Sequence, residues 1–169
     1  FKEAQHMGEV PVGYNPAIAT RQPRAKVTRH RLSLDEWKAI YSKASEQPAY
    51  VRRGMMIAIL TGQRVGDIAA MKFSDIWDDK LHVSQQKTGA KVAIPLSIRC
   101  DVLDICLRDV IAECRDVVLS KWILHHHRSL SNCERGGQLN QDTLSRGFAR
   151  ARDQSGIRFD ANSPPTFHE

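Results

Sequence analysis

The sequence predicts an α+β domain that is predominantly α-helical and carries a small antiparallel β-hairpin sheet. Three observations predict it. Apolar residues recur at helical spacing on both sides of the chain's middle. The period falls to two between Leu81 and Pro95. Capping and turn residues such as Ser33, Gly62, Gly89, Asn140 and Gly156 punctuate the segments where elements should begin or end. Helices, then a hairpin, then helices, with no internal repeat, is an α+β order.

The first seven residues read as the last turns of a helix, with Gly8 as its stop. Residues 1–20 are otherwise loop-rich, with Pro11, Gly13 and Pro16, and form no domain alone. We expect them to be the remnant of a preceding domain. The chain opens on Phe1-Lys2-Glu3, which is no signal peptide and looks like an excised edge.

Residues 21–32 read as a basic linker. Within 21–31, Arg21, Arg24, Lys26, Arg29 and Arg31 are basic and no residue is acidic. Without apolar periodicity, this segment is either solvated or laid along phosphates, where each neutralised phosphate releases counterions.

The main domain is expected over 33–169. Ser33 and Glu36 form an S-x-x-E capping box. Leu34, Trp37, Ile40 and Tyr41 follow at helical spacing. Pro48 suits the first turn of a second helix, with Met55, Met56, Ile59 and Leu60 as its apolar side and Gly62 as its stop. A short third helix should run from Arg64 or Val65 to Met71.

Leu81 and Val83 alternate with His82 and Ser84 as a half-buried strand, and Lys91 to Pro95 is its partner. Lys87 to Ala90 form the turn between them. A long helix is expected from Ser97 to Val118, carried by Ile98, Val102, Ile105, Cys106 and Val110. Trp122-Ile123-Leu124 reads as a short third strand and 125–137 as a loop. The last full helix should run from Gln141 to Ser155, with Leu144, Phe148 and Ala151 inward and Arg146, Arg150 and Arg152 on its polar side. Thr166 and Glu169 match a T-x-x-E start, so the chain is expected to end inside a new helix.

Composition narrows the class. The 169 residues carry 25 Lys+Arg against 19 Asp+Glu, a net charge of +6. That balance points to an anionic partner such as nucleic acid. An apolar fraction of 41% supports a packed core and excludes a disordered or collagen-like chain. No apolar run approaches the ~20 residues a membrane-spanning helix needs, so no membrane partner is expected. Cys100, Cys106, Cys114 and Cys133 show no CxxC spacing, which argues against a zinc ribbon and for a reduced, cytoplasmic setting.

Three segments carry cations suited to phosphate. In Thr61-Gly62-Gln63-Arg64-Val65-Gly66-Asp67, Arg64 offers a planar fork to phosphate oxygens and Asp67 shares its helix face. By spacing alone the pair reads first as a surface ion pair opening a helix. In Gln85-Gln86-Lys87-Thr88-Gly89, Lys87 sits on a hairpin turn and could reach a groove or a phosphate. In Pro164-Pro165-Thr166-Phe167-His168-Glu169, His168 stands at a helix start and can donate or move a proton near neutrality. His125-His126-His127 is a fourth cluster. Adjacent residues do not share a face, and no HExxH pattern accompanies them, so neither metal nor cofactor is expected.

The order of TGQRVGD at 61–67, MKFSDI at 71–76, QKTG at 86–89, AIP at 93–95, LSRGFARAR at 144–152 and PPTFHE at 164–169 resembles the tyrosine recombinase family, in its lambda-like phage integrase branch. The resemblance covers nearly the whole chain from about residue 31. It implies the catalytic-domain fold of that family and metal-independent strand exchange through a 3′-phosphotyrosyl link. Arg64 matches the first catalytic arginine, Lys87 the hairpin lysine that protonates the leaving 5′-oxygen, and His168 the first residue of the H-x-x-R motif. Asp67 matches the acidic position that supports the arginine. The linker cations, Arg146 and Arg150 would contact DNA.

The same resemblance implies double-stranded DNA as partner, a tetramer on DNA for the parent protein, accessory DNA-bending proteins, and a bacterial cytoplasm at the nucleoid. It leaves the second arginine and the nucleophilic tyrosine unmatched, because Tyr14, Tyr41 and Tyr50 all precede the final motif. We therefore expect these residues alone to be monomeric, to bind DNA and not to cleave it. The competing expectation is a non-catalytic DNA-binding module or degenerate prophage remnant.

Overall fold

The computed structural model describes residues 2–15, 30–129, 132–161 and 163–167. The first helix, α1 (Lys2–His6), buries no side chain, and Gly8 after it takes a left-handed φ of 75°. The linker positions Arg21, Arg24, Lys26 and Arg29 lie outside the described residues.

Helix α2 (Leu34–Ala44) opens on the expected capping box. Ser33 Oγ accepts from Glu36 N at 3.3 Å, and Glu36 Oε2 accepts from Ser33 N at 2.7 Å. Such a cap is worth about 1 kcal/mol. The Ser33 N–H and then His30, at 3.0 Å from both carboxylate oxygens, hold the Glu36 carboxyl below its ordinary range. Helix α3 (Ala49–Thr61) begins after Pro48, and Gly62 ends it in the left-handed region with φ 63° and its N–H on Ala58 O.

Helix α3 is the centre of the core. Val51, Met55, Met56, Ile57 and Leu60 are buried on it. Helix α6 (Gln141–Gln154) crosses it closely, with Leu144, Phe148 and Ala151 buried. Two glycines permit the approach. A Cβ on Gly147 would collide with the Val51 side chain, and one on Gly54 would meet Leu144 Cδ2 at 3.2 Å. Asn140 caps α6, its Oδ1 accepting from Thr143 N at 2.7 Å.

Between these helices in the chain come α4 (Val65–Ala70) and a three-stranded antiparallel sheet of β1 (Ile76–Trp77), β2 (Lys80–Ser84) and β3 (Lys91–Pro95) in that order. Leu81 pairs with Ile94, and Val83 with Val92. Leu81, Val83 and Ile94 face the core, as the alternation requires. The third strand is β1, not the expected Trp122–Leu124. Its turn to β2 is Asp78-Asp79, both with positive φ, and without a glycine it gave no hairpin signal. Trp122 makes only a bridge to Lys72, while Ile123 N donates to Met71 O at 3.0 Å.

The long helix expected from Ser97 to Val118 is also corrected. The segment folds as β4 (Arg99–Cys100), a 3₁₀ turn at Asp101–Leu103, β5 (Ile105–Cys106) and a short α5 (Leu107–Cys114). Asp104, at φ 49°, reverses the chain and breaks the helical run. Ile98 and Val102, which suggested an inward face, are exposed. The first α5 amides, Leu107 and Arg108, donate to Ile98 O and Leu96 O, so the hairpin itself satisfies the helix start.

Candidate active site

The left-handed Gly62 turns the chain out of α3 into an extended pair, Gln63-Arg64, ahead of α4. Thr61 Oγ1 donates to Ile57 O at 2.6 Å and accepts from Gln63 N at 3.3 Å, which pins this turn. Arg64 is the N-cap position of α4, and its side chain is exposed. Among the described residues it makes no ion pair and no side-chain hydrogen bond. The Arg64–Asp67 pair that their spacing allowed is therefore not formed.

Asp67 reaches elsewhere. It is 4% exposed, and its Oδ1 accepts from Gln86 N at 2.9 Å. Among the described residues its Oδ2 has no hydrogen-bond partner. Asp67 thus ties α4 to the turn that carries Lys87. That turn closes through Gln85 N on Ala90 O and Gly89 N on Gln85 O, with Gly89 at φ 69°. Lys87 is exposed at its tip. A second link runs beside the first, where Gln85 Nε2 donates to Gln63 Oε1 at 2.9 Å. Gly66 lies in the same seam. A Cβ there would meet Gln141 Oε1 of α6 at 3.3 Å and Gln86 Oε1 at 3.7 Å.

His168 lies outside the described residues, but Pro165 and Phe167 just before it are held by α6. Phe167 is buried and packs edge-to-face on Phe148 at 5.7 Å. Pro165 O accepts from Arg152 Nη1 at 2.8 Å. Arg152 therefore serves packing, whereas Arg146 and Arg150 of α6 are exposed, as is Arg31.

Two of the tyrosines are engaged elsewhere. Tyr41 Oη donates to Met56 Sδ and accepts from Arg52 Nε. Tyr50 packs edge-to-face on His126, and burial pushes its phenol up.

The histidine cluster holds a feature that the sequence argument missed. His126 packs against Tyr50, while His125 and His127 turn to another side. Both face Asp116. His125 Nε2 is 3.2 Å from Oδ1, and His127 Nε2 is 2.6 Å from Oδ2. The three ligand-type atoms lie within 4.8 Å of one another. Arg53 Nη1 already sits 2.6 Å from Oδ2 and 3.4 Å from His127 Nε2. The carboxylate is thus met by a guanidinium, and the cluster is a half-buried ion-pair network around a buried His125. It fastens the α5–α6 connection to α3. Spacing alone could not reveal it, because Arg53 and Asp116 are distant in sequence. The same applies to Trp122, which lies under two cations, Lys72 Nζ at 5.1 Å and Lys121 Nζ at 5.2 Å.

Comparison with known proteins gives a consistent picture. The profile of the phage integrase family matches residues 30–169. The chain is 53% identical over 169 residues to the integrase of Enterobacteria phage P21, and 56% identical to prophage integrase IntE of Escherichia coli K12. It spans 44% and 45% of those two proteins. Its fold superposes with TM-score 0.77 on a lambda integrase (residues 75–356) dimer bound to a COC′ core site, at 40% identity, covering 99% of this chain and 58% of that one. It superposes with TM-score 0.75 on the lambda integrase catalytic core, at 41% identity, covering 83% of this chain and 77% of that one.

Proposed function

The chain belongs to the phage integrase family, and from that premise we propose that it supplies catalytic-domain machinery for site-specific DNA recombination. One observation carries the reading. Two exposed cations, Arg64 and Lys87, stand on separate elements that Asp67 joins through the Gln86 amide.

The chemistry is a phosphoryl transfer between oxygens. A tyrosine oxygen forms a bond to the scissile phosphorus, and the bond from phosphorus to the 5′-oxygen breaks. Arg64 holds the non-bridging oxygens as negative charge builds on them, which is where preorganised donors act most strongly. Lys87 gives a proton to the departing 5′-oxygen, and His168 donates to the phosphate or assists the tyrosine. Reversal by a partner strand reseals the DNA without a metal or other cofactor. Asp67 fixes the Lys87 turn relative to the Arg64 turn, which extends its expected support of the arginine to both cations.

None of the three tyrosines in these 169 residues stands after the final motif, where the family's nucleophile lies. Tyr41 is hydrogen bonded within α2–α3, Tyr50 packs on His126, and Tyr14 belongs to the loop after α1. Residues 1–169 alone therefore bind duplex DNA and leave it uncut, and the nucleophile comes from elsewhere in the complete recombinase.

Residues 33–169 are the catalytic domain, 21–32 a basic linker on the DNA backbone, and 1–20 the edge of a preceding domain. The match beginning at residue 30 supports this division. Arg21, Arg24, Lys26, Arg29, Arg31, Arg146 and Arg150 contact phosphates. The working assembly is a tetramer on two duplexes at the bacterial nucleoid, assisted by DNA-bending proteins. Among the described residues no helix is long and apolar enough to cross a membrane.

The test is a nicked suicide substrate that traps covalent protein–DNA product. In the full-length protein carrying these residues, Arg64→Ala should slow trapping by roughly 10²–10³-fold while weakening DNA binding far less. Equal loss of both would refute the role of Arg64. Covalent product formed by residues 1–169 alone would refute the inactivity of that polypeptide.

A further inference from the structure

The link between the Gln63 and Gln85 side chains has a fixed direction. Ala90 N donates to Thr88 Oγ1 at 3.3 Å, and Thr88 Oγ1 donates to Gln85 Oε1 at 2.8 Å. Gln85 Nε2 donates to Gln63 Oε1 at 2.9 Å, and Gln63 Nε2 donates to Thr61 O at 3.2 Å. Thr61 O is a backbone carbonyl and can only accept. That forces the Gln63 amide to present its NH₂ there and its oxygen to Gln85. Gln85 must then turn its NH₂ toward Gln63 and its oxygen toward Thr88. Neither amide can flip without setting two like groups face to face.

The two ends of this relay bracket the two reactive cations. Gln63 immediately precedes Arg64, and it is 8% exposed, so its amide is held away from water. Gln85 and Thr88 enclose Lys87 in the hairpin turn. Asp67 grips the turn by its backbone, whereas Gln63, from the connection between α3 and α4, grips it through the Gln85 side chain. A single hydrogen bond would leave the turn free to pivot about it, and two anchors remove that freedom.

We propose that Gln63 and Gln85 form a positioning clamp that sets Lys87 against the Arg64 turn for leaving-group protonation. The proposal rests on the reading of Arg64 and Lys87 given above. The amides touch no reacting atom. They act by holding the lysine tip where its proton can reach the 5′-oxygen. Misplacement of a catalytic group by about 1 Å can cost on the order of 10²-fold in rate.

The experiment uses the full-length protein and single-turnover cleavage of saturating suicide substrate. Gln85 is half-buried, so Gln85→Met is the main variant, and Gln85→Glu is a near-isosteric second that places an acceptor against Gln63 Oε1. Both should slow cleavage about tenfold or more, with the DNA Kd and the Tm of the protein nearly unchanged. Q85M should add no further loss in a Lys87→Ala background, because a clamp that acts through Lys87 has nothing left to position. Additive loss in that background, or normal cleavage by both Gln85 variants, overturns the clamp.

A substrate with sulfur at the bridging 5′ position separates this from the role of Lys87 itself. There the P–S bond breaks and a thiolate leaves without needing a proton. Lys87→Ala should recover on that substrate if Lys87 is the proton donor, and Q85M should recover with it. Failure of Lys87→Ala to recover refutes the proton-donor assignment, while the additivity result still decides the clamp. Recovery of Lys87→Ala without Q85M overturns the clamp.

Discussion

Replacing Asp116 with alanine removes one carboxylate from a site where four donors converge. Arg53 Nη1 and His127 Nε2 lie 2.6 Å from Oδ2, His125 Nε2 is 3.2 Å from Oδ1, and Val118 N donates to Oδ1 at 2.9 Å. The Arg53 and Asp116 side chains are each only 16% exposed, and that of His125 is 1% exposed. Deleting one partner of a buried ion pair costs about 3–5 kcal/mol, because the remaining charge stays buried and uncompensated. For a chain of this size, each kcal/mol moves Tm by roughly 2–4 °C. The expected result for Asp116→Ala is therefore a Tm loss of roughly 10 °C at pH 7, read by circular dichroism.

The same site sets a pH dependence. Burial pushes the Asp116 carboxyl up, but Arg53, His127, the Val118 N–H and His125 together hold it well below the usual carboxylate range. A depressed carboxyl stabilises the fold above its unfolded pKa of about 4, and that contribution is lost as pH falls toward the folded value. The wild-type chain should thus lose more stability than Asp116→Asn between about pH 5 and pH 2. A Tm change below about 2 °C for Asp116→Ala, or parallel acid profiles for the two chains, would refute the reasoning.

Gly147→Ala should destabilise the chain by about 1–3 kcal/mol in urea unfolding, since its Cβ meets Val51 where α3 and α6 cross. Val51→Ala should restore part of the loss; no restoration would place the strain elsewhere. Burial pushes the Cys114 thiol up to about 12, so native protein at pH 8 should resist iodoacetamide at that position in mass spectrometry. Alkylation of Cys114 as fast as in urea would contradict its placement in the core. DNA affinity should fall steeply with salt, and each linker arginine replaced by alanine should reduce the log–log slope by about one if it sits on a phosphate. An unchanged slope across Arg21, Arg24 and Arg29 would remove the linker from the DNA.

Local chemistry in the sequence foretold the elements whose signals are themselves local. The Ser33–Glu36 box, the Gly62 stop and the Asn140 cap use partners a few residues apart, and the strands of the lysine hairpin are neighbours in the chain joined by one turn. The segment from Ser97 to Val118 misled because Ile98, Val102 and Ile105 mimic a helical stripe. Nothing local announces that Asp104 will turn left-handed or that Leu96 and Ile98 carbonyls will start α5. The β1 strand escaped notice for a similar reason, since two aspartates rather than a glycine make its turn.

The site divides the same way. Arg64, Asp67, Lys87 and His168 stand in ordered motifs, so residue type and sequence order alone nominated them. Their mutual arrangement did not follow. Asp67 was near Arg64 by spacing yet binds the Gln86 amide 19 residues on, and Gln63 meets Gln85 across 22 residues. Arg53 reaches Asp116 across 63 residues and turns a histidine run into a half-buried ion-pair network. Sequence by itself determined which groups carry charge, where the locally capped helices α2, α3 and α6 begin or end, and which family the motifs follow. Only the tertiary structure decided which polar groups are buried together. A buried donor or acceptor must find a partner wherever the packed helices bring one, whatever the distance along the chain.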